Sequence, residues 1–266
     1  MELIDTHCHL AKSVQARKLN EVLANAAEAG VGRMITIGTS PEDWKLYAEL
    51  AAAHPGQIYW TAGLHPSDVD KDFRDHLTAL APFWTEDPHP VAVGEIGLDY
   101  FRLPKDQDEA AKIKRYQYDA FRFQLDLALQ FDMPVVVHSR ASFDDCIKTI
   151  DASGFPWERV VFHCFAEGAE EMQRLNSRGG RGSFTGIVTF KNAEAMRQAV
   201  VEQGLEKLMV ETDAPYLAPE PHRGKPCEPA MVRHTAEKCA VLLKVDPEAL
   251  AERTTKNAED FFNLNG

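Results

Sequence analysis

The sequence predicts an α/β protein folded as a single (β/α)8, or TIM, barrel over residues 1–266, with extra helices at its C-terminal end. Three observations predict this class. Short β-like runs alternate with longer segments of helical periodicity, the succession of a parallel sheet. A length of 266 residues exceeds an ordinary domain and suits one barrel of this kind. Polar residues gather where the runs end, and the turn after the first run carries His7-Cys8-His9. An open doubly wound sheet is the alternative, and its nucleotide-binding form wants a glycine-rich turn at that place.

The strands are expected near Leu3–Thr6, Arg33–Ile37, Ile58–Ala62, Val91–Gly94, Pro134–His138, Val160–His163, Gly182–Thr185 and Leu208–Glu211. Helices are expected between them. In Lys18–Ala29, Val22, Leu23, Ala26 and Ala27 form an apolar stripe, and Gly30 closes the segment. Ser40-Pro41-Glu42-Asp43 supplies a cap, a first-turn proline and early acids for Pro41–Ala53. Ala110–Phe131, Phe143–Ala152, Ala169–Arg178 and Ala193–Gln203 follow, the last closed by Gly204. Pro229–Leu242 and Pro247–Phe262 read as closing helices after the eighth strand.

Composition narrows the function class. An apolar fraction of 44 % is enough to build a sizeable core. No run approaches the apolar length needed to cross a bilayer, and no basic segment precedes an apolar one at the start, so neither membrane nor export is expected. The five cysteines are odd in number and scattered, which points to a reducing cytoplasm instead of a disulfide framework. A net charge of −12 argues against a broad basic surface for nucleic acid. It leaves room for an enzyme that holds a few phosphates in a pocket, where metal and local Lys and Arg set the field.

The strand ends carry the chemistry. The first gives His7 and His9, which share a face by strand alternation while Cys8 points away. The third gives His65, the fourth Glu95, the fifth His138 and Arg140, the sixth His163 and the eighth Asp213. In a barrel such ends converge on one mouth. Imidazoles and carboxylates in these numbers suit two divalent ions, with His7, His9 and Asp213 on one, His138 and His163 on the other, and Glu95 between them. The mixed N/O set suits Zn, Mn, Fe or Co better than Mg. Asp213 is also placed to take a proton from attacking water. His65, Arg140, Arg223 and Lys225 are candidate phosphate contacts, and Tyr100 and Phe101 can stack on a base. Packing at the rim is the simpler role for Phe101. Glu211 is expected to orient a ligand. Cys8 and Cys164 are expected to pack away from the mouth.

These segments together resemble the TatD family of metal-dependent deoxyribonucleases, within the amidohydrolase-like barrels. The residues that carry the resemblance are Asp5-Thr6-His7-Cys8-His9-Leu10, Gly63-Leu64-His65-Pro66, Gly94-Glu95-Ile96-Gly97-Leu98-Asp99-Tyr100, His138-Ser139-Arg140, Phe162-His163-Cys164-Phe165, Glu211-Thr212-Asp213-Ala214-Pro215 and Arg223-Gly224-Lys225, with Asn257 and Phe261 near the end. The resemblance implies hydrolysis of DNA phosphodiester bonds from a 3′ end with divalent metal, on single strands or ends, with no obligate protein partner. Relatives bridged by a carbamylated lysine differ, because Val91–Tyr100 contains no lysine and Glu95 stands in that place. Cys227 occupies a position where many relatives carry asparagine. A hydrolase of small amides, lactones or phosphoesters on the same metals is the second reading, and a non-catalytic barrel scaffold the third.

Overall fold

The computed structural model describes residues 2–85 and 87–264. In chain order the elements are β1 (Leu3–Cys8), α1 (Ala11–Gln15), α2 (Leu19–Glu28), β2 (Val31–Ile37), α3 (Pro41–Ala53), β3 (Ile58–Thr61), α4 (Phe73–Thr78), β4 (Val93–Asp99), α5 (Gln107–Gln130), β5 (Val135–Arg140), α6 (Phe143–Ser153), β6 (Val160–Phe162), α7 (Ala169–Arg178), β7 (Arg181–Phe184), α8 (Glu194–Gln203), β8 (Met209–Val210), α9 (Val232–Leu243) and α10 (Pro247–Phe262). This is the (β/α)8 succession that the sequence predicts, with α9 and α10 added at the end. The short helices α1 and α4 escaped the periodicity reading, because five or six residues are too few to show a stripe. The chain divides into two compact units. One holds the segments before Ile37 and after Phe162 together with His54–Tyr59, and the other holds Ile37–Ala53 and Trp60–Phe162.

In the first unit β1 pairs in parallel with β2, from Leu3 opposite Val31 to Cys8 opposite Thr36. β7 pairs in parallel with β8. The chain leaving β8 lies against β1, where the Asp213 N–H donates to the His7 carbonyl and the His9 N–H to the Ala214 carbonyl, both at 2.8 Å. α10 packs against both β1 and β8. Its start is fixed by the Asp246 carboxylate, which accepts from the Glu248 N–H, and by Pro247 in the first turn. Its buried face carries Leu250, Ala251, Thr254, Ala258 and Phe261 at helical spacing. Asn257 lies on that face and donates to the Leu205 and Leu208 carbonyls at 3.0 and 2.9 Å, which ties α10 to the chain entering β8.

In the second unit β4 pairs in parallel with β5, from Val93 opposite Val135 to Asp99 opposite Arg140. β6 continues on the far side of β5, and Ala62, just past β3, bridges to Val93. β4 runs five residues beyond its expected end at Gly94 and is buried throughout. Its glycines are what allows the pairing to go on. At Gly97, with φ +137°, a Cβ would lie 2.1 Å from the His138 carbonyl oxygen, so only glycine lets β4 and β5 approach there. α5 covers this sheet. Phe121, fully buried on it, contributes about 2–3 kcal/mol by transfer from water. Two buried glutamines share that face, Gln117 and Gln124.

Among the described residues no helix is long and apolar enough to cross a membrane. All five cysteines are free thiols.

Candidate functional site

The first unit gathers His7, His9, His163, Glu211 and Asp213. β1 alternation turns His7 into the interior, where it is fully buried, and His9 follows just past the strand. The His7 and His163 rings stack at 3.9 Å with planes 13° apart. The segment after β8 brings the carboxylates. Asp213 adopts a left-handed backbone, φ +59°, which aspartate tolerates better than most residues. That turn, held by the Asp213 N–H on the His7 carbonyl, sets its Oδ1 at 3.7 Å from His7 Nε2 and 3.4 Å from His9 Nε2. Burial pushes the Asp213 carboxyl up, but the bond from His9 and the charges of His7, His9 and His163 outweigh it and hold the carboxyl below its ordinary range. Glu211, buried, accepts from the Cys164 N–H at 2.7 Å and lies 3.3 Å from His163 Nδ1. One ligand atom each from His7, His163 and Glu211 fall within 4.8 Å of one another.

Beneath this group sits Asp5. Its carboxylate accepts from the Thr212 N–H at 2.9 Å and the Thr212 hydroxyl at 2.6 Å. Complete burial outweighs those bonds and pushes the carboxyl up to about 8. Asp5 therefore fastens β1 to the segment that carries Asp213.

The second unit gathers His65, Glu95, Asp99, His138 and Arg140. The chain after β3 is clamped by Gln124, which accepts from the Leu64 N–H at 2.7 Å and donates to the Leu64 carbonyl at 3.2 Å. Gln117 does the same for the end of β4, accepting from the Asp99 N–H at 3.0 Å and donating to the Asp99 carbonyl at 3.2 Å. His65 caps the following turn, its Nδ1 accepting from the Ser67 N–H at 3.0 Å. An accepting Nδ1 assigns the proton to Nε2, which faces Glu95 Oε1 at 3.4 Å. His138 lies between two carboxylates, with Nδ1 at 2.8 Å from Glu95 and Nε2 at 3.2 Å from Asp99. Burial raises the Asp99 carboxyl, but bonds from His138 and the Phe101 N–H, with the charge of Arg140, bring it below its ordinary range. Ligand atoms of His65, Glu95 and His138 fall within 4.8 Å of one another.

The remaining candidates lie nearby in sequence. Tyr100 is half-buried, with its hydroxyl donating to Asp145 at 3.2 Å and Lys114 Nζ 4.1 Å from its ring. Arg223 and Lys225 are exposed on a turn around Gly224, and the Arg223 guanidinium lies 3.7 Å from the Phe190 ring. Cys227 is buried, its N–H donating to the Pro215 carbonyl. Cys8 is buried and donates toward the Ile35 carbonyl. Cys164 is part-exposed and left-handed, φ +44°, because β6 has already ended at Phe162 and strand alternation no longer applies.

Sequence reasoning passed over Asp99 as a site residue, and it passed over Gln117 and Gln124 entirely. Their signal was present, since two amides seven residues apart on the apolar face of one helix must be satisfied by something. The structure sets His163 beside His7 and Glu211, and His138 beside Glu95 and His65. Both donor groups mix imidazole nitrogen with carboxylate oxygen, which fits a divalent ion of intermediate softness.

Comparison with known proteins points the same way. The family model described as TatD related DNase matches residues 4–263, across both units. The uncharacterized metal-dependent hydrolase YcfH of Escherichia coli (strain K12) is 35 % identical, covering 100 % of this chain and 97 % of its own length. The 3'-5' ssDNA/RNA exonuclease TatD of Citrobacter rodentium (strain ICC168) is 32 % identical over 98 % of each chain. The crystal structure of YjjV, a TatD homolog from Escherichia coli K12, superposes with a TM-score of 0.87 at 27 % identity, covering 98 % of each chain.

Proposed function

The chain belongs to the TatD-related family of metal-dependent hydrolases, and from that premise we propose that it is a 3′–5′ exodeoxyribonuclease acting on single-stranded DNA or ends with two divalent ions. The carrying observation is the pair of N/O donor groups, His7, His163 and Glu211 in one unit and His65, Glu95 and His138 in the other. The relative from Citrobacter rodentium supports the polarity and the substrate. Within these groups His7, His163, Glu95 and His138 are ligands, and His9 and Asp213, close to His7, complete the set, while Glu211 orients His163 and His65 is left for the substrate. The bound ions would supply Lewis acidity toward a phosphoryl oxygen and toward water.

The protein's own groups do the rest. Asp213, kept ionised by its histidine neighbours, accepts the proton of the attacking water. Water adds to phosphorus, the bond from phosphorus to the penultimate O3′ breaks, that oxygen takes up a proton from solvent to become the new 3′-hydroxyl, and the terminal nucleoside 5′-monophosphate is released. His65 presents its Nε2 proton to the developing charge. Arg140, Arg223 and Lys225 hold phosphate, the arginines through paired donors, and Tyr100 offers the edge of its half-buried ring. The five free thiols support a cytoplasmic setting.

The test is an exonuclease assay on 3′- and 5′-labelled single strands with Mn- or Mg-loaded protein, alongside Asp213→Ala. Stepwise loss from the 3′ end that disappears in the variant is expected. Intact strands, with metal verified in the protein and a small ester or amide hydrolysed, would replace this reading with the small-molecule one.

A further inference from the structure

Two exposed rings are unaccounted for by the catalytic reading. Phe101 is 63 % exposed and Tyr216 52 %. The other large exposed apolar side chains, Tyr118, Leu129, Val201 and Val241, sit on the outer faces of α5, α8 and α9. Phe101 and Tyr216 instead follow strand ends, two residues past β4 and six past β8. Water contact over half of a large ring gains nothing for folding.

Each ring is held in place by the candidate site itself. The Tyr216 N–H donates to the Asp213 carbonyl at 2.9 Å. The Phe101 N–H donates to the Asp99 carboxylate at 2.9 Å, and the other oxygen of that carboxylate faces His138. Each ring also carries a cation. Lys12 Nζ lies 4.9 Å from the Tyr216 ring and donates to its hydroxyl at 3.3 Å. The Arg140 guanidinium lies 3.9 Å from the Phe101 ring. The cations follow other strands that carry candidate ligands, Lys12 in α1, three residues past His9, and Arg140 at the end of β5, two past His138. So in each unit an open aromatic face and a positive charge stand together within a few residues of a candidate ligand.

We infer that Tyr216 with Lys12, and Phe101 with Arg140, are stacking platforms for unpaired nucleobases, the cation taking the phosphate of the same nucleotide. This inference rests on the nuclease reading and deepens it, because it names what the protein reads on its substrate. A nucleotide presents one flat π-face and one anion close together, and each ring–cation pair matches both. A base inside a duplex has both faces covered by its neighbours, so the pairs select single strands. Tyr100 does not serve in this way. Its ring is part-buried, whereas Phe101 and Tyr216 are more than half exposed, and its hydroxyl is turned onto the Asp145 carboxylate.

The experiment compares a short single strand with an abasic strand of the same length, using metal-loaded wild type, Tyr216→Ala, Phe101→Ala, Tyr216→Phe and Phe101→Tyr. Binding of a 2-aminopurine-labelled strand is followed by quenching of its fluorescence. Wild type is expected to prefer the base-bearing strand in kcat/KM and to quench 2-aminopurine. Each alanine variant should lower that preference about tenfold and weaken quenching, while the aromatic replacements keep both. Equal use of both strands by wild type, or alanine variants that keep the preference and the quenching, would overturn the platforms while leaving the nuclease intact. If neither strand is cut, the nuclease reading fails, and quenching alone then decides whether the rings bind bases. An alanine variant that does not fold is replaced by Tyr216→Leu or Phe101→Leu, which keeps more apolar bulk than alanine and removes the π-face.

Discussion

His7 and His9 are placed by main chain, through the bonds that join β1 to the segment after β8, whereas the segments that carry His65, Glu95 and His138 add buried amide side chains and close-packed glycines to main-chain bonds such as the His65 N–H on the Thr39 carbonyl and the Glu95 N–H on the Gly38 carbonyl. In the first unit the support is the sheet itself, reinforced by the Asp5 carboxylate on Thr212. In the second unit the β4–β5 ladder is supplemented by Gln117 and Gln124, reaching from α5 to strand-end loops, and by Gly97, which admits the His138 carbonyl. A site held by main chain tolerates side-chain change around it. A site held by buried amides does not, because each lost amide leaves a main-chain group unpaired.

Four substitutions and one chemical probe sharpen that contrast. The largest effect is expected from Asp213→Ala, which removes a ligand and the proton acceptor. It should lower kcat by about 10²–10⁴-fold and reduce the metal bound per chain, read by elemental analysis. Retained activity would remove Asp213 from the mechanism. Next comes Gly97→Ala. Its Cβ would collide with the His138 carbonyl at a φ that alanine avoids, so a loss of about 3 kcal/mol in denaturant unfolding is expected. Wild-type stability there would mean that β4 and β5 can separate at no cost.

Gln124→Leu follows. It leaves the buried Leu64 N–H and carbonyl unsatisfied and should cost about 2–3 kcal/mol, with a weaker KM from the displaced His65 loop. Asp5→Ala is its counterpart in the first unit and should cost less, about 1 kcal/mol at neutral pH. It also removes a carboxylate whose burial is itself unfavourable, as its rise to about 8 records. The order Gln124 above Asp5 is the direct test of the comparison, and the reverse order would break it. The smallest effect concerns thiols. Burial raises Cys146 and Cys239 to about 12 and pushes Cys8 and Cys227 up as well, whereas Cys164 is part-exposed. A disulfide reagent at pH 8 should therefore titrate one thiol in the native protein and all five after unfolding.

The amino-acid sequence by itself determined the order of strands and helices, because periodicity is a local property that packing seldom overturns over ten or more residues. Pro41–Ala53, Ala169–Arg178 and Pro247–Phe262 have the expected bounds for that reason. It also pointed to His7, His9, His65, Glu95, His138, His163 and Asp213, because polar residues at strand ends stand out against apolar runs. The tertiary structure decided what local pattern cannot carry. It extended β4 through Gly94 and Gly97, since a glycine breaks a strand or admits a close neighbour according to what lies across from it. It engaged Tyr100 and exposed Phe101, a choice made by Asp145 and Lys114 far along the chain. It gave the buried Gln117 and Gln124 their task, because a buried amide has meaning only through the partner that the fold brings to it.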